Sequence, residues 1–138
     1  MTILIIEDEA QVRELLGRRL QAHSYETQEA ENGKVGLEKA KQLKPELIIL
    51  DLNMPEIDGI QVYQRLRQDP DTAKIPVLFL TALSAGGTMT EQSLAIIASA
   101  KHRVQLTGKY AVMGKPYDAQ QLLETIRKLL GQESAPAV

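Results

Sequence analysis

The chain has 138 residues, of which 43% are apolar and 25% charged, with a formal net charge of −2 and no cysteine. These values are typical of one globular domain with a single core. They argue against disulfides, thiolate chemistry and a chain-wide attraction to nucleic acid or anionic lipid. The longest aliphatic runs are far short of the roughly 20 residues that a spanning helix needs, and no secretory signal is visible. We therefore expect a cytoplasmic location.

The first part of the chain alternates strand patterns with helical ones. Residues 2–6, 25–30 and 47–50 are short apolar or alternating stretches that predict strands. A helix is predicted after each of the first two, and Asn32-Gly33 marks the turn into the second. The residues expected to face inward are Val12, Leu15, Leu16 and Leu20, then Val35, Leu37, Ala40 and Leu43, whereas Arg13, Glu14, Arg18 and Arg19 are expected to face outward.

The second part continues the alternation. The predicted elements are a helix from Asp58-Gly59 to the turn at 69–71, a strand over 75–80, a weak helix over 90–101, a strand over 110–113 and a last helix from Asp118. Asp118 and Gln121 have the spacing of a capping box. The inward residues are expected to be Ile60, Tyr63 and Leu66 in the third helix, and Leu122, Ile126, Leu129 and Leu130 in the last.

Five strands alternating with five helices predict an α/β fold, a doubly wound parallel sheet with right-handed crossovers. The flavodoxin-like form of this (βα)5 fold has strand order 2-1-3-4-5 and helices on both faces. In such a sheet the ligand site lies at the carboxyl ends of the strands. Candidate functional residues are therefore the polar residues that follow each strand.

Asp51 stands at the carboxyl end of the most apolar strand. Four aliphatic residues precede it between Pro45 and Pro55, as expected of a strand buried on both faces. A carboxylate delivered to this edge is well placed for chemistry. The alternative is that Asp51 only caps a turn, a common role of aspartate. The polar residues at the other strand ends decide between the two.

Those strand ends together predict a site for a phosphoryl group. If the first strand lies beside the third, Glu7, Asp8 and Asp51 come close together. Three carboxylates at close range repel one another unless a cation neutralises them, and Mg²⁺ favours such oxygen ligands. Thr81, after the fourth strand, supplies a hydroxyl, and Lys115, after the fifth, supplies a positive charge for a phosphoryl group on or near Asp51.

Four ordered motifs resemble those of the receiver domains of two-component response regulators. They are Ile5-Ile6-Glu7-Asp8-Glu9, Asp51-Leu52-Asn53-Met54-Pro55 with Asp58-Gly59, Leu80-Thr81-Ala82 and Lys115-Pro116, and the resemblance covers essentially Thr2 to Leu130. It implies that Asp51 takes a phosphoryl group from a phosphohistidine of a histidine kinase. It also implies that Glu7, Asp8, Asp51 and the backbone carbonyl of Asn53 bind Mg²⁺, that Thr81 is the switch hydroxyl and that Lys115 pairs with the phosphorylated side chain.

Simpler roles remain open for several of these residues. Asp8 and Gln11 have the spacing of a capping box for the first helix. Lys115 is also explained as a solvated loop residue, and Thr81 as a residue that satisfies backbone groups at a strand end. His23 and His102 have no companion ligand at metal-binding spacing and are read as surface or packing residues.

Two features depart from the family pattern. The interval from Thr81 to Lys115 is longer than receivers usually show by roughly a dozen residues, about three helical turns. This lengthened segment, residues 84–108 or thereabouts, is bounded by Gly86-Gly87 and Thr107-Gly108. The position of the usual switch aromatic is Val112, and Tyr110 stands two residues earlier on the same side of a strand. The switch residue is therefore expected to be Tyr110 or Val112.

We expect residues 1–131 to form a receiver domain and 132–138 a flexible tail or the start of a linker. The expected role is a signalling phosphoacceptor, not an enzyme. Its expected partners are a histidine kinase or phosphotransfer protein and a downstream protein or output domain, with no direct contact to nucleic acid or membrane. We expect a monomer, or a weak homodimer through the face that runs from the fourth strand to the last helix.

Two other functions stay open. The first is a receiver-shaped interaction module in which phosphorylation has no role, which Val112 and the lengthened segment favour. The second is a metal-dependent phosphohydrolase with Asp51 as its nucleophile. In those enzymes a second aspartate usually follows the nucleophile by two residues, and that position is Asn53 here.

Overall fold

The computed structural model describes residues 1–52, 59–82, 110–115 and 118–131, and at Ala82 and Lys115 it describes the main chain. Five parallel strands form one sheet in the order β2-β1-β3-β4-β5. The strands are β1 (Thr2–Ile6), β2 (Glu26–Ala30), β3 (Leu47–Asp51), β4 (Val77–Ala82) and β5 (Tyr110–Lys115). The helices of the described ranges are α1 (Ala10–Gln21), α2 (Gly33–Leu43), α3 (Gly59–Gln68) and α4 (Ala119–Leu129). The predicted flavodoxin-like order is confirmed.

The two central strands explain the unbroken aliphatic runs of the sequence. Residues 3–6 of β1 and 47–50 of β3 are fully or almost fully buried, because helices cover both faces of the sheet at these strands. Successive residues of a strand point to opposite faces, so each run supplies both layers of the core. The strongest sequence signal therefore marks the two central strands, and the predicted site lies at their carboxyl ends.

The core has one layer on each face of the sheet. The layer under α2 and α3 includes Leu4, Ile6, Ile48, Leu50, Val77 and Phe79 from the strands, with Ala40, Val62, Tyr63 and Leu66 from the helices. The layer under α1 and α4 includes Ile3, Ile5, Leu47, Ile49, Leu78 and Leu80, with Leu16, Leu20, Leu122, Ile126 and Leu129. None of the described helices is long and apolar enough to cross a membrane.

Two predicted helix starts are capped by the residues that the sequence indicated. The Asn32 side chain accepts a hydrogen bond from the Val35 N–H at 2.8 Å at the start of α2. At the start of α4 the Asp118 side chain accepts from the Gln120 N–H at 3.1 Å. Asp118 thus accepts from the second helical residue, one position earlier than the Gln121 of the predicted capping box.

Three predicted orientations on the helices were wrong. Leu15 is 53% exposed, because Leu16 and Leu20, four residues apart, form the narrow stripe that faces the sheet. Leu43 is also exposed, because α2 ends there and Lys44 turns the chain with a left-handed φ of 47°. Arg13 was expected to face outward, but its side chain is largely buried and donates a hydrogen bond to the carbonyl of Glu7, the residue after β1.

Strand limits also differ slightly from the prediction. β4 begins at Val77, two residues after the predicted start at Ile75, and β5 extends two residues beyond Met113 to Lys115. Ile75 is nevertheless buried, and the Ile48 N–H donates to the carbonyl of Pro76. The longer β5 brings the main chain of Lys115 into the sheet.

Candidate functional site

Three carboxylates meet at the carboxyl edge of the sheet. Glu7 directly follows β1 and is 2% exposed, Asp51 ends β3 and is 4% exposed, and Asp8 is exposed. One carboxylate oxygen from each of the three lies within 4.8 Å of the others. The predicted convergence of these side chains is therefore observed.

The pairing of β1 with β3 accounts for this cluster. The two strands are parallel neighbours, and Ile6 pairs with Leu50 in the register. The next residues are Glu7, which follows β1, and Asp51, which ends β3, and they therefore lie at the same level, at the spacing of adjacent strands, about 4.8 Å. Residues that are 44 positions apart in the sequence are brought together by the register alone.

The turn from β1 to α1 is held by several hydrogen bonds around Glu7. The Glu7 N–H donates to the carbonyl of Ala30 at 3.1 Å, and the Glu9 N–H donates to Glu7 Oε1 at 3.3 Å. Nη1 of Arg13 donates to the Glu7 carbonyl at 2.7 Å. Both the main chain and the carboxylate of Glu7 are thereby restrained.

The alternative in which Asp8 caps the first helix is not borne out. The N-cap residue of α1 is Glu9, and no side chain makes a capping hydrogen bond there. Asp8 lies one residue before the cap, beside Glu7 and Asp51. Its carboxylate is therefore part of the acidic cluster and not part of a capping box with Gln11.

Thr81 and the main chain of Lys115 come to the same edge. Asp51 pairs with Leu80, and the Leu52 N–H donates to the Leu80 carbonyl at 2.8 Å, so Thr81 follows at the next level of β4. Thr81 is fully buried. In β5 its register partner is Gly114, and Lys115 pairs with Ala82. The residues that the sequence singled out thus lie at, or within one or two residues of, the carboxyl ends of four neighbouring strands.

Tyr110 and Val112 lie on the β5 side of the sheet, and both are exposed. The Tyr110 ring packs edge-on against Phe79 and Tyr63, with centroid distances of 6.3 and 6.1 Å. Val112 pairs with Phe79. At about 3.3 Å per residue, Val112 lies about 7 Å and Tyr110 about 13 Å along the strand from the level of Thr81. Val112 is the nearer of the two candidate switch residues.

Sequence reasoning missed two residues that support this edge. Gly59, the first residue of α3, has its main chain against that of Asp51, and a Cβ there would lie 2.6 Å from the Asp51 carbonyl oxygen. The available signal was the Asp58-Gly59 pair, which was interpreted only as part of a motif and not as a close contact with Asp51. Arg13 was predicted to face solvent, and no local sequence pattern indicates its hydrogen bond to the Glu7 carbonyl.

Several predicted features lie outside the described residues. They are Asn53, the helix over 90–101, the lengthened segment over about 84–108 with its glycine joints, His102, the tail over 132–138 and the side chain of Lys115. His23 is described and exposed, with its Nδ1 2.9 Å from the carbonyl of Arg19. That contact fits the predicted surface role of His23.

The chain is similar to known regulatory proteins. The DNA-binding dual master transcriptional regulator RpaA of Synechocystis sp. (strain PCC 6803) is 38% identical over 128 residues, which are 93% of this chain and 48% of RpaA. The polar-differentiation response regulator DivK of Brucella anthropi is 29% identical over 130 residues, 94% of this chain and 96% of DivK. The chain thus spans about half the length of RpaA and nearly all of DivK.

A solved structure shares the fold. The receiver domain of sensor histidine kinase PA1611 from Pseudomonas aeruginosa PAO1, which has a magnesium ion coordinated in its active site cleft, matches with a TM-score of 0.75 at 18% identity. The match covers 95% of this chain and 98% of that one.

The family model for the response regulator receiver domain matches residues 3–127, a span that includes the acidic cluster and all five strands apart from Thr2. Receiver domains are signalling domains of two-component systems. This chain belongs to the family of response regulator receiver domains.

Proposed function

We propose that this chain accepts a phosphoryl group on Asp51, with Mg²⁺ bound beside it, and relays phosphorylation as a change in partner binding. The observation that carries this proposal is the cluster of Glu7, Asp8 and Asp51, whose oxygens lie within 4.8 Å of one another at the ligand-binding edge of the sheet. A nucleophilic carboxylate and a cation site are the two components that phosphoryl transfer to aspartate requires.

The acidic cluster fits Mg²⁺ by its donor chemistry. Carboxylate oxygens are the hard ligands that Mg²⁺ prefers, and negative charges this close together repel one another without a cation. Glu7, Asp8 and Asp51 would hold the ion, together with the backbone carbonyl of Asn53 that the resemblance implies. When bound, the ion supplies positive charge that offsets the charge on the phosphoryl oxygens. The magnesium ion in the similar PA1611 receiver domain supports this assignment.

The proposed transfer is a displacement at phosphorus. A carboxylate oxygen of Asp51 attacks the phosphorus of a phosphohistidine, the O–P bond forms as the P–N bond breaks, and the imidazole leaves with the electron pair. Burial of Asp51 at the end of β3 restricts the orientation of the nucleophile. The Thr81 hydroxyl would donate a hydrogen bond to a phosphoryl oxygen, and the Lys115 ammonium would pair with the phosphorylated side chain.

The same residues would limit the lifetime of the phosphorylated form. Attack of water on the phosphorus forms a new O–P bond, breaks the bond to the Asp51 oxygen and releases inorganic phosphate, with Asp51 leaving as a carboxylate. The chain would thus assist its own phosphorylation and dephosphorylation without turning over a free substrate. We therefore propose a signalling phosphoacceptor, not an enzyme, and we do not propose a phosphohydrolase for a member of this family.

Phosphorylation would act as a switch by adding negative charge and hydrogen-bond acceptors beside β4 and β5. These would draw Thr81 and Lys115 inward and bias the β4–β5 face between two arrangements, with Val112 or Tyr110 responding. The proposed partners are a histidine kinase or phosphotransfer protein in the cytoplasm and a downstream protein or output domain. We propose no nucleic-acid contact by these residues themselves, given their net charge of −2.

Intact mass spectrometry tests the proposal directly. We expect the protein, incubated with acetyl phosphate and Mg²⁺, to gain the mass of one phosphoryl group. Asp51→Asn and the addition of a chelator should each abolish the gain, whereas Asp71→Asn, a change at an exposed carboxylate paired with Lys44, should retain it. No gain in the unaltered protein, or the same gain in Asp51→Asn, would overturn the role of Asp51.

The exposed Val112 at the usual position of the switch aromatic favours one alternative, an interaction module that acts without phosphorylation. A measurement of partner affinity with and without phosphorylation separates the two functions. A difference supports the switch, and equal affinities support the alternative.

A further inference from the structure

We infer that Arg13 is a positioning residue of the cation site, because it holds the turn that carries Glu7 and Asp8 in the shape that binds Mg²⁺. This inference rests on the Mg²⁺ site of the proposed function and assigns a role to a residue outside the acidic cluster. Arg13 lies in the first part of α1, six residues after Glu7.

The guanidinium of Arg13 joins two strand ends. Its Nη1 donates to the carbonyl oxygen of Glu7 at 2.7 Å, and its Nε lies 3.7 Å from Oε1 of Glu29 in β2. The side chain is only 17% exposed, unlike an ordinary solvated arginine. A planar guanidinium presents donors in several fixed directions, so one residue can donate to the Glu7 carbonyl and form an ion pair with Glu29 at the same time.

The carbonyl that Arg13 binds belongs to the peptide group linking Glu7 to Asp8. Because a peptide group is planar, holding its oxygen also fixes the plane from which the two candidate ligands project. The Glu7 carboxylate is restrained separately by the Glu9 N–H. Loss of the Arg13 hydrogen bond would therefore free the relative orientation of Glu7 and Asp8 without altering either carboxylate.

The sign of the effect separates positioning from simple charge. Arg13 is positive, so its own charge opposes the approach of a cation, and its removal would also leave Glu29 without this ion-pair partner. Both charge effects predict tighter Mg²⁺ binding in Arg13→Ala. Positioning predicts weaker binding, because the two ligands lose their fixed geometry.

Calorimetric titration of MgCl₂ into the full chain measures this directly. We expect Arg13→Ala to bind Mg²⁺ about tenfold more weakly, the usual scale for losing a residue that orients metal ligands. The Mg²⁺ affinity of Arg13→Lys should lie between those of the unaltered protein and Arg13→Ala, since an ammonium keeps the charge but cannot reach both partners as a guanidinium does. Arg18→Ala, at an exposed position of the same helix, should bind as the unaltered protein does. Circular dichroism and urea unfolding establish that each variant is folded.

Equal or tighter binding in folded Arg13→Ala would overturn the inference. If Arg13→Ala does not fold, Arg13→Lys decides: weaker binding at unchanged charge supports positioning, and unchanged affinity contradicts it. If the unaltered protein binds no Mg²⁺, the proposed cation site fails and the inference fails with it. If it binds Mg²⁺ and loses that binding in Asp51→Asn while both Arg13 variants bind normally, only the inference about Arg13 fails.

Discussion

The main chain of Gly59 packs directly against the main chain of Asp51. A Cβ atom at residue 59 would lie 2.6 Å from the Asp51 carbonyl oxygen and 2.9 Å from the Cα atom of Leu52. The Gly59 N–H also donates to the Leu52 carbonyl at 3.3 Å. Gly59, the first residue of α3, therefore packs against the end of β3. That end carries Asp51, the residue proposed to accept the phosphoryl group.

We expect Gly59→Ala to lower the free energy of unfolding by about 1–3 kcal/mol, because the added methyl group meets backbone atoms that no rotamer change can move. Helix propensity alone predicts the opposite sign, a gain of about 1 kcal/mol. Gly17→Ala in α1 is the matched control, since its Cβ would meet other atoms only at 3.7 Å or more. It should stabilise the protein by about 0.5–1 kcal/mol. Urea unfolding measures both changes in the free energy of unfolding. Stabilisation by both variants would contradict the close packing of Gly59 against the end of β3.

We expect Asp51→Asn to raise the free energy of unfolding in the absence of Mg²⁺ by about 1 kcal/mol, because it removes one of three mutually repelling carboxylates. Mg²⁺ should stabilise the unaltered protein, by about 2.7 kcal/mol at a hundred times its dissociation constant, and should leave Asp51→Asn nearly unchanged. Asp71→Asn should keep the Mg²⁺ response. Urea unfolding with and without the ion checks this, and an equal response in both aspartate variants would exclude Asp51 from the cation site.

We expect Arg67→Ala to destabilise the protein by about 2–4 kcal/mol, since charged hydrogen bonds to partly buried carbonyls are strong. Arg67 Nη1 donates to the carbonyls of Ala73 and Ile75 at 2.7 Å each, and its guanidinium lies 4.5 Å from the centre of the Tyr63 ring. It thus ties α3 to the segment that enters β4. Arg65→Ala, at an exposed position of the same helix, should change stability by less than about 0.5 kcal/mol. Similar losses in the two arginine variants would mean that these contacts contribute little.

We expect Leu15→Ala and Leu16→Ala to differ sharply although they are neighbours. Leu16 is fully buried under the sheet, so its truncation should cost about 2–5 kcal/mol. Leu15 is half-exposed, and its truncation should change stability by less than about 0.5 kcal/mol. Thermal or urea unfolding of the pair checks the orientation of α1. A large loss in Leu15→Ala would show that this leucine is covered in solution.

Much of the fold was readable because local patterns report burial. The aliphatic runs of β1 and β3 predicted strands covered on both faces, and the structure confirms this. The helical stripes of α3 and α4 were also predicted correctly. Leu15 and Arg13 were not, because a periodic pattern indicates which residues can face the sheet but not how wide the covered stripe is or which polar group a long side chain reaches.

By itself, the sequence determined the order of strands and helices and the identity of the polar residues at the strand ends, since both are properties of neighbouring residues. Only the tertiary structure decided that Glu7, Asp8 and Asp51 stand within 4.8 Å of one another, that Gly59 abuts Asp51 and that Arg13 holds the Glu7 carbonyl. The physical reason is that each of these distances depends on the register of parallel strands and on the packing of helices against them. Both join parts of the chain whose separation in space cannot be read from spacing along it.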